Sequence, residues 1–430
     1  MWNIDKKLAQ LSAQGKDVQV GIVGAGQMGR GLVTQFLMIH GMRPSIVSSR
    51  NEENALKCYL EAGAKREDIV IAHTLAEINA GMERGKYVVT PYAELVSQAN
   101  LVDVMLEATG IPDVGARVAE QAIANKKHVV MLNVETDVVV GPILKKMADE
   151  AGVIYTGSAG DEPGAVMELY AFAKAIGFEV RVVGKGKNNK LDRTATPASS
   201  EAEALLKRMN PKMLCSFKDG TKTMVELAAI SNATGYIPDV VGAHGIQAQV
   251  ADLPQRFRLK SEGGILNRYQ VVEYVDGIAP GVFVTVFSDN PEVKHHMEYL
   301  AMGSGPVWTL YRPYHLCNME TPITIAKIML EKESTIVPMG GLVSECVAVA
   351  KKDLQAGEYL DGLGGYTAYG SVCTKAAADL GGYLPLGLIT EKAQMRKNVK
   401  QGQILTYADV RLDEATSIFR LRKRQDGIKF

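Results

Sequence analysis

A short apolar run, then spaced glycines, then a helical pattern constrain this chain more than any other feature. Residues 18–23 read Val-Gln-Val-Gly-Ile-Val, the length and character of a buried parallel strand. Gly24, Ala25, Gly26, Gln27, Met28 and Gly29 then spell G-x-G-x-x-G. Leu32, Val33, Phe36 and Leu37 fall on one helical face, and Gly41 stands where a left-handed cap belongs. The three motif glycines do different things. Gly24 permits the tight turn, Gly26 lets a pyrophosphate approach the backbone, and Gly29 lets helix and strand pack closely. The motif alone describes many structural turns. With a strand before it and a helix after it, the expectation is a dinucleotide site, its phosphates on the helix N-terminus.

The pattern continues. Residues 44–50, 87–90, 102–109, 128–133 and 152–156 read as strands, with helical stretches such as 117–125 and 141–150 between them. This alternation predicts a doubly wound parallel sheet of Rossmann type. Residues 50–86 read as a mainly helical insertion in a crossover. In such sheets ligands lie beyond the carboxyl ends of the strands, so Ala108, Thr109, Gly110, Asn133 and Glu135 are expected to edge the nicotinamide. The second strand ends Ser48-Ser49-Arg50, with no acid to repel a 2′-phosphate and an arginine to hold one. This favours NADP(H), with Ser49 and Arg50 as its contacts; a solvated arginine is the plain alternative.

Composition excludes other classes. Over 430 residues, 48 Lys and Arg balance 48 Asp and Glu, so no basic surplus points to nucleic acid or an anionic membrane. No apolar run reaches spanning length and the start lacks a signal core, so a cytoplasmic location is expected. Five scattered cysteines (Cys58, Cys215, Cys317, Cys346, Cys373) suit reduced thiols rather than a disulfide framework or a zinc site.

The middle of the chain carries candidate chemistry. Asp161 and Glu162 open a helix, where the bland reading is charge complementing the dipole. Residues 179–183 read as a strand delivering Lys185, Lys187, Asn188 and Asn189 on a glycine-bearing loop. Such a loop suits a phosphate or polyol, and its lysines suit protonation of an alkoxide; a solvated polar turn is the alternative. Lys222 and Glu226 share a helix face at i, i+4, commonly an exposed ion pair. His244, Arg312 and His315 add anion-binding or acid–base candidates. His295 and His296 read as exposed and are given no role.

Taken together, the runs at 24–29, 107–110 (Glu-Ala-Thr-Gly), 131–135 (Met-Leu-Asn-Val-Glu), 160–163 (Gly-Asp-Glu-Pro), 184–189 (Gly-Lys-Gly-Lys-Asn-Asn) and 222–226 (Lys-Thr-Met-Val-Glu) resemble homoserine dehydrogenase-like oxidoreductases with a C-terminal SAF domain. The sequence is most similar to their 1-deoxy-D-xylulose 5-phosphate reductoisomerase-like branch. The resemblance implies a Rossmann domain over 1–157 with a returning helix in 316–334, an α+β catalytic and dimerisation domain over 158–315, and a small β-rich SAF domain over 335–430. Within the last, 347–360 is echoed by 393–406, each a strand, a basic step and a glycine turn.

The activity implied is NADPH-dependent reduction of a small, polar, phosphorylated carbonyl compound, with rearrangement, for isoprenoid precursor synthesis. Lys185, Lys187 and Glu226 would be catalytic. Asp161, Glu162, Asn188, Asn189, Lys222, Arg312 and His315 would hold an anionic substrate. A divalent metal is an open addition, with Asp161, Glu162 and Glu226 as its candidate acids. A homodimer or higher homo-oligomer is expected. True homoserine dehydrogenases carry a lysine soon after the position of Asn133, whereas Val134 and Glu135 follow here. That departure counts against an amino-acid substrate. Two alternatives remain: dehydrogenation of a homoserine-type, sugar-acid or tetrose substrate without rearrangement, and an NADPH-binding sensor without turnover.

Overall fold

The computed structural model describes residues 3–207 and 209–430, and the chain divides into two compact units. The first unit takes the described residues up to Asp161, then Leu316–Val337 and Glu414–Phe430. Its sheet contains β1 (Val18–Val23), β2 (Met42–Ser48), β3 (Ile69–Ile71), β4 (Tyr87–Thr90), β5 (Val104–Glu107), β6 (His128–Met131) and β7 (Tyr155–Gly157). They lie in the order β3-β4-β2-β1-β5-β6-β7, and every pairing is parallel. The winding direction reverses between β1 and β5, which opens a crevice at their carboxyl ends. Val20, Ile22, Leu32, Val33, Phe36, Val47 and Leu106 form the core beside them, all fully buried. Continuous apolar strands are what a sheet covered on both faces demands.

The stretch 50–86 is not simply an insertion. Between the helices Glu52–Glu61 and Leu75–Glu83 it supplies β3, an edge strand of three residues paired to β4. So short a strand shows no periodicity in the sequence. Thr321–Ala326 forms a short α-helix that runs on into a wider π-type turn, Lys327–Glu331; Ile325, Ala326 and Ile328 join the core of this unit.

A helix far along the chain mends a local defect. The helix Val134–Ala151 contains Pro142, which lacks an N–H and clashes with the preceding turn. The side-chain amide of buried Gln425, on the helix Ser417–Asp426, fills the gap. Its Oε1 accepts from the Ile143 N–H at 3.0 Å and its Nε2 donates to the Val139 carbonyl at 3.0 Å. One amide thus serves both the Ile143 N–H and the Val139 carbonyl, an i, i−4 pair opened beside the proline.

The second unit comprises Glu162–His315 and Pro338–Asp413. Its mixed sheet has β8 (Glu179–Lys187), β9 (Ile237–Pro238), β10 (Ile246–Gln247), β11 (Val271–Asp276), β12 (Val282–Phe287) and β13 (Val307–Arg312), in the order β10-β11-β8-β12-β13 with β9 also on β11. The pairing β8/β11 is parallel, while β12 runs antiparallel to both β8 and β13. Downstream lie small antiparallel hairpins, β14 (Ser344–Ala350) with β15 (Ala368–Thr374), and Gln394–Met395 with Val410–Arg411. Isolated bridges Leu354–Val399 and Val349–Ile404 join the two echoed stretches. Asn232 fastens this region to the helix Thr221–Thr234: its Oδ1 accepts from the backbone N–H of Val343 at 2.8 Å and of Ser344 at 3.0 Å. No described helix is long and apolar enough to cross a membrane.

Candidate active site

In the first unit the three motif glycines meet three different surroundings. Gly24 follows β1 with φ +117°, and a Cβ there would lie 2.8 Å from the Ala108 carbonyl carbon and oxygen. The turn is therefore pressed against the end of β5. A Cβ on Gly29 would come within 2.0 Å of the Gly24 carbonyl oxygen, so helix Gln27–Leu37 packs on the turn only because that side chain is missing. Gly26 has nothing within 4 Å of the corresponding position. A turn locked on two sides and open at its middle glycine is the shape a pyrophosphate needs.

The other expected cofactor residues are placed as follows. Ala25 is buried, Gln27 is exposed, and Met28 is half-buried with its sulfur 3.7 Å from the Cys317 sulfur. Ala108, Thr109 and Gly110 are half-buried beyond β5. Asn133 caps the helix Val134–Ala151, its Oδ1 accepting from the Thr136 N–H at 3.2 Å, while its Nδ2 donates to the Ile111 carbonyl at 3.1 Å. It therefore ties the loop after β6 to the loop after β5. Glu135 is buried in the first turn of the same helix. Ser49 is half-buried and Arg50 exposed, at the lip of a cleft of about 590 Å³ that Asn51, Glu52, Glu53, Leu56 and Ile71 also line.

Glu107 closes β5 in full burial, its Oε1 accepting from the Thr109 N–H at 3.0 Å. Burial pushes this carboxyl up to about 7, against its hydrogen bonds. The sequence shows it only as the first residue of the run 107–110 and gives it no role, because a glutamate inside an apolar strand announces nothing about its surroundings.

In the second unit, Lys185 and Lys187 do not ride on a loop. The strand β8 continues to Lys187, so both side chains leave the same face of the sheet. The intervening glycines mislead. A Cβ on Gly184 would lie 2.1 Å from the Glu273 carbonyl oxygen, and one on Gly186 would lie 2.5 Å from the Ala279 nitrogen. They mark close approach on the opposite face rather than a turn.

On the lysine face a buried charge cluster forms. Lys185 Nζ donates to Glu162 Oε1 at 2.6 Å and also to Glu226, with Lys185 only 4% exposed. Glu162 comes from the first turn of the helix Glu162–Ala175, and Glu226 from the middle of the helix Thr221–Thr234. Burial works against the charge on Lys185, but the two carboxylates outweigh it and hold the ammonium above the usual lysine range. Lys222 lies one turn before Glu226, its Nζ 3.9 Å from Oε1, and His315 Nε2 lies 3.4 Å from Glu162 Oε1. Lys187 Nζ donates to the Phe217 carbonyl at 2.8 Å. Burial, then the neighbouring charges of Lys185 and Arg193, push it down to about 8.

Arg312 pairs with Glu168 at 2.8 Å. Asn188 and Asn189 follow the end of β8, and Asn189 lines a second cleft with Lys190, Leu191, Asp192, Glu203 and Lys218. Asp161, the last residue of the first unit, is buried with Oδ1 3.8 Å from the Cys317 sulfur. His244 Nε2 donates to Asp239 Oδ2 at 2.8 Å, and its backbone N–H meets Glu273, which burial pushes up to about 8.

Residues 160–321 match the family model described as the catalytic domain of oxidoreductase DRL. The matched segment holds Glu162, Lys185, Lys187, Lys222, Glu226, Arg312 and His315. No curated protein sequence matches the chain. Among solved structures, the chain resembles a probable dehydrogenase from Thermotoga maritima: 13% identity, 75% of this chain and 91% of that one, TM-score 0.43. A putative oxidoreductase, yvaA, from Bacillus subtilis aligns at 13% identity over 75% and 91%, TM-score 0.39. The UDP-N-acetylglucosamine 3-dehydrogenase GnnA from Acidithiobacillus ferrooxidans aligns at 14% over 64% and 66%, TM-score 0.33.

Proposed function

We propose that the chain is an NAD(P)-dependent oxidoreductase, and more narrowly an NADPH-dependent enzyme that rearranges and reduces a small phosphorylated carbonyl compound, as a 1-deoxy-D-xylulose 5-phosphate reductoisomerase does. One observation carries the reading. A buried ammonium, Lys185, is fixed between Glu162 and Glu226 beside a lysine pushed down to about 8, inside the segment that matches an oxidoreductase catalytic domain. The glycine turn at the crevice of a doubly wound sheet supports the cofactor. Ser49 and Arg50, with no acid at the tip of β2, support the phosphorylated form.

The bound nicotinamide would supply the hydride. Lys185 stays charged throughout and stabilises the oxyanion that develops on the substrate carbonyl. Glu226, kept in orientation by that ammonium, accepts the proton of the substrate hydroxyl as the carbon skeleton rearranges. Lys187, poised near neutrality, gives a proton to the alkoxide left by reduction. Lys222 supplies positive charge and His315 a ring nitrogen for hydrogen bonding to the phosphate, and Arg312 joins them by exchanging Glu168. Within the second unit, Glu162 and Glu226 are the acids a divalent ion would use, oxygen donors suited to Mg²⁺ or Mn²⁺. The ammonium of Lys185 already bridges these two acids, so an ion would compete with it.

A substrate panel tests the reading. Purified protein with NADPH should consume 1-deoxy-D-xylulose 5-phosphate and release a rearranged, reduced polyol phosphate. Turnover of aspartate semialdehyde with NADPH, or of a sugar acid with NADP⁺, instead would move the assignment to oxidoreduction without rearrangement. Assembly as a homo-oligomer is part of the proposal, and light scattering on the purified protein checks it.

A further inference from the structure

The cleft at the end of β2 contains a charge conflict. It is lined by Arg50, which suits a phosphate, and by Glu52 and Glu53, which do not. Both acids occupy the first turn of the helix Glu52–Glu61, where Asn51 accepts from the Glu53 N–H at 3.0 Å and fixes the turn. Acids there suit the helix dipole. They oppose a 2′-phosphate, which carries about two negative charges.

The two acids are disposed of differently. Glu53 lies 3.7 Å from Lys57, one turn along its own helix. Glu52 reaches across to another element, where His73 Nε2 donates to its Oε1 at 2.6 Å. His73 is itself anchored just beyond β3: its backbone N–H donates to Glu77 Oε2 at 2.8 Å, and its ring meets Tyr92, beyond β4, edge-on with centroids 6.4 Å apart. Because β3, β4 and β2 are neighbours in a parallel sheet, their carboxyl ends place His73, Tyr92 and Arg50 along one edge.

We propose that His73 is a specificity-determining residue for the cofactor. By engaging Glu52 it prevents that carboxylate from pairing with Arg50 or accepting the ribose hydroxyls, and so keeps the cleft suited to a phosphorylated adenosine. The inference rests on the NADPH reading above. Without His73, Glu52 takes up the role that an acid performs at an unphosphorylated ribose. The Glu52–His73 pair is partly exposed, so the effect is a change in ratio rather than loss of binding.

Calorimetric titration of the intact protein with NADP⁺ and NAD⁺ tests it. His73→Ala should weaken NADP⁺ about five- to tenfold while NAD⁺ changes less than about twofold. Adding Glu52→Gln to His73→Ala should restore NADP⁺ to within about twofold of the starting protein. Equal weakening of both cofactors, or no rescue in the double variant, overturns the proposal. Arg50→Ala separates this from the underlying reading. If it leaves the NADP⁺ to NAD⁺ ratio unchanged, the phosphate clamp fails and His73 has nothing to guard. If it lowers the ratio while His73→Ala does not, only the role of His73 is overturned.

Discussion

Lys185 and Glu226 form an ion pair with almost no exposure to solvent, linking the central strand β8 to the middle of a helix that packs on it. Glu162 completes the arrangement from a second helix. A buried charge of this kind is costly unless paired, and removing one partner strands the others. Replacing Lys185 by Met should therefore destabilise the protein by about 3–5 kcal/mol in denaturant titration. Folded Lys185→Met protein should also lose activity by about two to three orders of magnitude, while Lys185→Arg keeps most of the stability. A fully active Lys185→Met protein would remove the cluster from the mechanism.

The proposed role of Lys187 predicts a pH limb. With its ammonium pushed down to about 8, a proton that it donates during reduction would be present below that pH and gone above it. The reductive rate should fall as pH rises through about 8. In Lys187→Arg, whose guanidinium does not titrate there, the limb should vanish and kcat should drop roughly a hundredfold or more. A pH–rate profile of kcat for both proteins checks this. An identical limb in the variant would assign the titration elsewhere.

The motif glycines should separate fold from binding. Gly29→Ala forces a methyl group onto the Gly24 carbonyl and should lower stability by about 1–3 kcal/mol even without cofactor. Gly26→Ala meets open space and should melt like the parent, yet weaken NADP⁺ at least about tenfold by crowding the pyrophosphate. Melting curves with and without NADP⁺ distinguish the two.

Glu273 offers a pH dependence of stability rather than of rate. Burial raises its folded value to about 8 from an ordinary 4.5, so the folded state holds a proton that the unfolded chain releases. Its contribution is complete below about pH 4.5 and is lost as pH rises through about 8, of order a few kcal/mol. Urea titrations from about pH 5 to about pH 9 should show this decline in the parent and a flatter trend in Glu273→Gln. The same decline in both would contradict it.

The first unit is largely legible in the sequence because its elements are local. The run at 18–23, the spaced glycines and the following helix each state a period or a turn requirement within a few residues. Three residues of β3 state neither, so the edge strand is hidden inside a helical stretch. The same limit governs the site. Lysines at 185 and 187 beside glycines look like a loop, because the backbone of Glu273 that demands a glycine at 184 arrives from 89 residues later in the chain. The acids Glu162 and Glu226 can be picked out individually, but their convergence on one ammonium depends on two helices meeting one strand. Gln425 beside Pro142 is likewise invisible until the last helix is in place.

In the proposed function the Lys185 cluster drives NADPH-dependent turnover of a phosphorylated carbonyl substrate. Loss of reduced-nicotinamide absorbance, followed for the parent and Lys185→Met proteins with 1-deoxy-D-xylulose 5-phosphate, tests it most directly. The predicted result is steady oxidation of NADPH by the parent and almost none by the variant. No oxidation by the parent, or equal oxidation by both, would contradict it.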